Sequence, residues 1–228
     1  MIHHSMIMAS GQLGPMQRIL ATICLGILLW SAFGQVQAAP CGNLMSDAAG
    51  YGPYDYRDPI ARRDKLEIVE RRHFTEAVAE LRHGSTATAP GSDIDYTLRH
   101  FPNHYRALDS MMRLALREGK VKPTGSRYTM DCWFERAHRF APDDGVVLML
   151  EAIYRDKQGK LDTAIQTMKQ ALSLDPQNAN IHYNLGLLYV KAKQYEKARE
   201  QAHTAYKEGF PLDGLRKLLV QAGEWKGE

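Results

Sequence analysis

Residues 150–176 read LEAIYRDKQGKLDTAIQTMKQALSLDP and residues 185–211 read LGLLYVKAKQYEKAREQAHTAYKEGFP, the second a loose copy of the first. The recurring positions of the first copy are Val147, Leu150, Tyr154, Ala164, Met168, Ala171 and Pro176. Those of the second are His182, Leu185, Tyr189, Ala198, Ala202, Ala205 and Pro211, each 34 or 35 residues later. A period of that length marks a helix–turn–helix unit that cannot bury its apolar face alone and therefore stacks on neighbours. Stacking builds a surface for holding another molecule. The expected fold is all-α, an antiparallel helix-pair solenoid.

Proline punctuates the array at Pro102, Pro142, Pro176 and Pro211, with gaps of 40, 34 and 35 residues. Each should close a helix, because proline disfavours helical geometry in the residue before it. Working backward, Met130, Phe134, Ala137 and Pro142 fall in the slots of Ala164, Met168, Ala171 and Pro176. Residues 103–142 thus read as a third, diverged copy whose first helix carries Leu108, Met111, Met112 and Ala115. Its inter-helix turn is longer and holds Gly119, Pro123 and Gly125.

Outside the copies, residues 61–102 read as a helical N-terminal cap or a degenerate repeat. Leu66, Val69, Phe74, Ala77, Val78 and Leu81 have helical spacing that Gly84 should stop, with a break near His73–Thr75 capped by Thr75. Residues 85–91 look like a small-residue linker, and Ser92 with Asp95 resembles a capping box opening a short helix to His100. Residues 39–60, with Tyr51, Tyr54 and Tyr56 among glycines and prolines, read as an extended segment laid over something. Residues 212–228, with Leu215, Leu218 and Leu219, read as a capping helix, as terminal repeats require. Asp143 or Asp144, Gly159 and Gly209 supply helix caps.

Ala164, Ala171, Ala198 and Ala205 let two helices approach where leucine would hold them apart. Leu185-Gly186, Tyr189, Ala198, Ala205 and Pro211 resemble the tetratricopeptide repeat, and Ala164, Ala171 and Pro176 repeat its second half. The resemblance covers residues 143–177 and 178–211 strongly and 103–142 in part. Glu151 stands where that repeat has glycine, an extra residue lies near Asp156, and Ala202 replaces a usual aromatic. These departures suggest local looseness. The resemblance implies that the first helix of each repeat lines a concave groove for an extended or helical peptide. Carried over by position, the groove residues are Asn180, Tyr183, Asn184, Leu187 and Lys191 in the last repeat, and Leu148, Ala152 and Arg155 in the one before. Asn184 alone matches the carboxylate-clamp variant. The tyrosine-rich residues 51–56 are an alternative occupant of the groove.

Residues 1–38 have the form of a signal peptide: Arg18, an apolar run from Ile19 to Trp30, then Val36-Gln37-Ala38 as a cleavage site. The run is shorter than the roughly 20 residues of a spanning helix. Pro40 before Cys41 and Ile23 before Cys24 argue against a lipid-modified cysteine. The mature chain keeps 28 Lys+Arg against 26 Asp+Glu, a balance that makes no case for nucleic acid or for stable membrane insertion. Cys41 and Cys132 are an even pair in an exported chain and read as a disulfide closing a long loop. The expected location is the periplasm.

Chemistry-bearing clusters are sparse. His100 and His104 are four apart, but Pro102 breaks the helix between them and no Cys/His framework surrounds them. Cys132 and His138 lie six apart on one helix, on different faces. No serine elbow, phosphate-cradling glycine loop or apolar carboxylate pair is present, so neither enzyme, metal nor cofactor is expected. The expected partner is a protein or peptide of the cell envelope, met during assembly or secretion. Two alternatives stand beside it: an envelope enzyme or metal-binding protein using the His-rich N-terminal half, and a self-associating structural protein.

Overall fold

The computed structural model describes residues 41–225, so the signal-peptide reading of residues 1–38 lies outside the described residues. Helix pairs follow the predicted period. The last three are α6 (Tyr105–Glu118) with α7 (Met130–Phe140), α8 (Gly145–Lys157) with α9 (Leu161–Leu174), and α10 (Ala179–Lys191) with α11 (Tyr195–Lys207), closed by α12 (Gly214–Gln221). Before them stand α1 (Leu44–Asp47), α2 (Pro59–Ala61), a π turn (Arg62–Leu66), α3 (Glu67–His73), α4 (Glu76–Ala79) and α5 (Pro90–His100). The helices ahead of Pro102, Pro142, Pro176 and Pro211 end at His100, Phe140, Leu174 and Lys207. α8 folds along α9 and α10 along α11, while α9 meets α10 and α12 touches both members of the last pair.

The repeated alanines do what their size requires. Ala164, Ala171, Ala198 and Ala205 are fully buried, and Tyr154 and Tyr189 fill the spaces between successive helices. Gly186 is a tight point: a Cβ there would lie 2.4 Å from Leu215 Cδ2, so its absence lets α12 seat on α10. Asp144 caps α8 by accepting from the Val146 and Val147 amides, and Asn178 caps α10 in the same way. Three buried clusters result. One runs from Phe74 to Tyr154, a second from Ala152 to Leu219, and a third joins Ala61, Leu66, Val69 and Phe101 to Tyr51, Tyr54, Tyr56 and Tyr96.

Several local expectations are corrected. Residues 39–60 are not extended throughout. Asn43 Oδ1 accepts from Met45 N to start the single turn of α1, and Asp58 Oδ1 accepts from Ile60 N to start α2 at Pro59, ahead of residue 61. α4 stops at Ala79 with Leu81 in the left-handed region at φ 61°, well before Gly84. Thr75 has the backbone geometry of a cap but makes no side-chain capping bond. α5 begins at Pro90, whose fixed φ suits the first helical position, so Ser92 and Asp95 are not a capping box. Asp95 is instead buried, accepting from Arg99 Nε and Arg127 N.

Residues 84–88 are no loose linker. Asp93, itself buried, accepts from the Ser85, Thr86 and Ala87 amides and from the Thr86 hydroxyl. In α12, Leu215 and Leu219 are buried while Leu218 faces out.

Candidate functional site

On the first-helix side, α4, α6 and α8 enclose a cleft of about 320 Å³. Tyr105, Arg106, Asp109 and Arg113 of α6 face Val146, Met149 and Leu150 of α8 across it. Arg113 Nε holds Asp109 Oδ2 at 2.8 Å, and its Nη2 donates to the Ala79 carbonyl, tying the cleft rim to α4. The face continues onto α10, where Asn184 Nδ2 lies 3.8 Å from Met149 Sδ and donates to the Asn180 carbonyl at 2.8 Å.

The residues expected in the groove divide. Asn180 is exposed, while Asn184, Leu187 and Leu148 are half-buried on this side. Lys191 Nζ sits 2.7 Å from Asp156 Oδ1, bridging the ends of α10 and α8. Tyr183 stacks on Phe210 with ring centroids 3.9 Å apart, so much of that ring already has a partner within the last repeat. Ala152 is fully buried and lines nothing. Arg155 turns back toward the preceding pair. Its Nη1 meets Asp131 Oδ1 of α7 at 2.6 Å and its Nη2 meets Glu151 Oε1 at 2.7 Å. Met149 was missed by sequence reading although it stands 35 residues before Asn184, the repeat offset itself.

Glu151, in the usual glycine slot, does not loosen the array. Its carboxylate accepts from Arg155 and pairs with His138 Nε2 at 2.7 Å, joining α8 to α7. Burial would raise that carboxyl, but the His138 and Arg155 hydrogen bonds outweigh it and hold the group below its ordinary value.

The tyrosine-rich segment packs mainly on α5 and the turn after it, and reaches the cleft lining only at Tyr105. Tyr51 meets His100 edge-on, Tyr54 packs on Phe101, and Tyr56 packs on His104 and Tyr105. Backbone bonds from Tyr54 N to the His100 carbonyl and from Tyr56 N to Asn103 Oδ1 fix its register. Farther along, Arg57 bridges Asp55 at 2.7 Å and Asp143 at 3.0 Å, and Asn103 Nδ2 donates to both Asp55 and Asp144. Burial works to raise the Asp55 carboxyl, yet the Arg57 and Asn103 bonds bring it down to about 2.

At the other end of this segment Cys41 is disulfide-bonded to Cys132, with Cα atoms 5.2 Å apart. Arg136 Nη1 donates to the Cys41 carbonyl and to Asp47, with Tyr128 joining at Asp47 Oδ2. The Arg136 guanidinium also faces the rings of Tyr128 and Trp133, 4.7 and 5.5 Å from their centroids. Those contacts occupy a guanidinium whose Nε and Nη2 have no hydrogen-bond partner.

The histidines are dispersed among structural partners. His100 Nδ1 meets the Tyr51 carbonyl, and His138 meets Glu151. His104 caps α6: its Nδ1 accepts from Ala107 N, so the proton sits on Nε2 and is given to Glu70 Oε1 at 3.0 Å. No group of three or more metal-ligating side chains occurs among the described residues. Nor is any described helix long and apolar enough to cross a membrane.

Residues 154–193, from the middle of α8 to just past α10, match the family described as TPR repeat. A solved chain described as "MamA RS-1 ArsTM double mutant" aligns at 19% identity over 86% of this chain and 96% of its own, with a TM-score of 0.43. No curated protein matches the chain. Residues 154–193 are thus similar to the tetratricopeptide repeat, and the helix pairs recur at the repeat period through α11.

Proposed function

We propose that this chain is an exported scaffold that holds a peptide segment of another cell-envelope protein along the first helices of its repeats. The observation that carries the reading is the half-buried row Val146, Met149, Asn184 and Leu187, which runs from the cleft between α6 and α8 onto α10. Apolar side chains flanked by an asparagine amide suit an amphipathic or extended peptide: the apolar contacts give affinity and the amide fixes register. Arg106 and Asp109 at the cleft mouth add charge of both signs. Export rests on the signal-like sequence of residues 1–38, and the Cys41–Cys132 bond suits an oxidising compartment. The test is in-cell photo-crosslinking from Met149 and from Leu187, with Lys169, exposed on α9, as control. One envelope protein captured from both groove positions and not from Lys169 supports the reading. Equal capture from Lys169, or none from the groove, removes it.

A second reading, self-association, is favoured by the last helix. Leu218 and Val220 are 40% and 57% exposed there, and Leu212 just before it is 62% exposed, more apolar surface than a closing helix needs to show. Sedimentation over a concentration series checks it: a constant monomer mass rules it out.

A further inference from the structure

α3, α5 and the segment before them enclose a second cleft, of about 400 Å³, remote in sequence from the groove residues of α8 and α10. Its walls are the rings of Tyr51 and Tyr96 and the aliphatic side chains of Ile68 and Val69. Three polar side chains share the lining: Arg72, His73 and Thr86. The volume falls in the range of small-ligand sites, which combine apolar walls with a few placed polar groups.

The polar groups differ in how they are held. The His73 ring lies flat on Tyr96, centroids 3.7 Å apart and planes 20° apart. Its Nδ1 is 3.0 Å from Asp93 Oδ1, and Asp93 is fixed in turn by the amides of residues 85–87. The ring therefore cannot swing away, and its Nε2 makes no hydrogen bond among the described residues. Thr86 gives its hydroxyl proton to Asp93, which turns that side chain inward to the same anchor. The Arg72 side chain has neither an ion pair nor a hydrogen bond among the described residues, whereas Arg57, Arg63, Arg82, Arg99 and Arg106 each have a carboxylate within ion-pair distance. Arg71 beside it is likewise without an ion pair but lies outside the lining. Ile68, on the same helix, is 45% exposed at this cleft.

We propose that this cleft binds a small amphipathic carboxylate. Its apolar body, aromatic or short acyl, lies between Tyr51 and Tyr96 against Ile68 and Val69, and its carboxylate pairs with Arg72. A planar guanidinium matches a carboxylate with two parallel bonds, and tyrosine rings favour offset or edge contacts with a flat body. One cation matches one negative charge; a phosphate dianion would ask for more donors than the cleft offers. Held by Asp93 at Nδ1 and stacked on Tyr96, the His73 ring is a fixed part of the cleft lining.

The test is an NMR titration of the full mature chain with benzoate and, separately, hexanoate, benzamide serving as the uncharged control. Saturable shifts confined to Ile68, Val69, Tyr96 and the His73 ring are expected with at least one of the two carboxylates, and which one binds identifies the body that fits. Arg72→Gln should weaken that binding at least about tenfold, whereas Arg71→Gln, one residue along and outside the lining, should leave it unchanged. Arg72 is exposed, so its substitution leaves the fold intact, which the unshifted remainder of the spectrum verifies. Absence of shifts with both carboxylates, equal binding of benzamide, or unchanged binding by Arg72→Gln would each overturn the proposal. None of these outcomes bears on capture of a partner from Met149 and Leu187.

Discussion

At the scale of single residues, the positions that depart from the repeat pattern are the ones with most to say. Glu151 stands in a glycine slot and has become a strut, taking Arg155 and His138 on one carboxylate. Restoring glycine would therefore harm the protein. Glu151→Gly strips half-buried His138 of its carboxylate and Arg155 of one of its two, and puts glycine mid-helix, together costing about 2–3 kcal/mol; urea denaturation reads this, and a neutral result would show the strut to be idle. Gly186 is the converse. Gly186→Ala drives a methyl toward Leu215, which is fully buried and must shift to admit it, so a loss of about 1 kcal/mol is expected. His100 predicts a pH response. Burial foremost, then the charges of Arg99 and His73, overcome its bond to the Tyr51 carbonyl and lower it from 6.5 to about 4. Between those values the unfolded chain binds a proton at this ring that the folded chain refuses, so stability falls as pH drops through that window, by at most about 3 kcal/mol. His104, lowered by burial against the pull of Glu70, adds in the same direction. His100→Asn should flatten the stability profile between pH 6.5 and 4; an unchanged slope would assign it elsewhere.

At the scale of elements, the tyrosine-rich segment and the loop around Asp93 decide how the N-terminal half is held. The disulfide closes a loop of 91 residues, which on the chain-entropy view stabilises by up to about 4–5 kcal/mol. Tyr54, Tyr56, Asp55 and Arg57 keep their own bonds to α5 and to the turns before α6 and α8, so reduction should lower the denaturation midpoint without detaching the segment. A midpoint indifferent to reductant would contradict this. Asp93→Ala strips three backbone amides and a histidine of their acceptor, so residues 84–89 should become the first site of limited proteolysis. These two elements also mark where sequence reading stops. The helix pairs were legible because alanine, tyrosine and proline recur with a period, and a period survives without knowledge of any partner. Asp93 was not, since three side-chain-to-amide bonds depend on one local geometry and leave the composition of a linker. The segment's partners lie up to 97 residues away and are met one at a time, as Arg139 Nη2 meets the Gly42 carbonyl, so no spacing announces them. Of the residues proposed for the groove, Asn184 meets Met149 at the repeat offset, whereas Arg155 turns to Asp131, an acidic neighbour in another repeat that no spacing announces.

At the scale of the whole molecule, a repeat array is stabilised by nearest-neighbour contacts and need not unfold as one body. Here the two large buried clusters meet in α8, and Ile153 packs against both. The N-terminal cluster carries everything that crosses long stretches of chain: the disulfide, the segment of residues 51–57 and the Arg136–Asp47–Tyr128 network. The C-terminal cluster has neighbour-to-neighbour packing closed by one helix of eight residues, of which Leu215 and Leu219 are the buried contacts. Opening free energy should therefore rise from the C-terminal end inward. Amide exchange followed by mass spectrometry should find α12 and α11 exchanging first, α10 and α9 next, and α6 and α7 last. Ile153→Ala removes the partly buried side chain shared by both clusters, at a cost of about 1–2 kcal/mol, below that of a fully buried isoleucine. If the halves are coupled through it, the variant should unfold in two steps where the parent unfolds in one, with α9 to α12 in the earlier step. A binding face that begins on α6 and ends on α10 would then straddle this junction, so a peptide lying along Val146, Met149, Asn184 and Leu187 should slow exchange in α10 and α11 more than in α6. Uniform slowing across all helices would mean that the ligand holds a single cooperative body, and the two-cluster description of the array would fall with it.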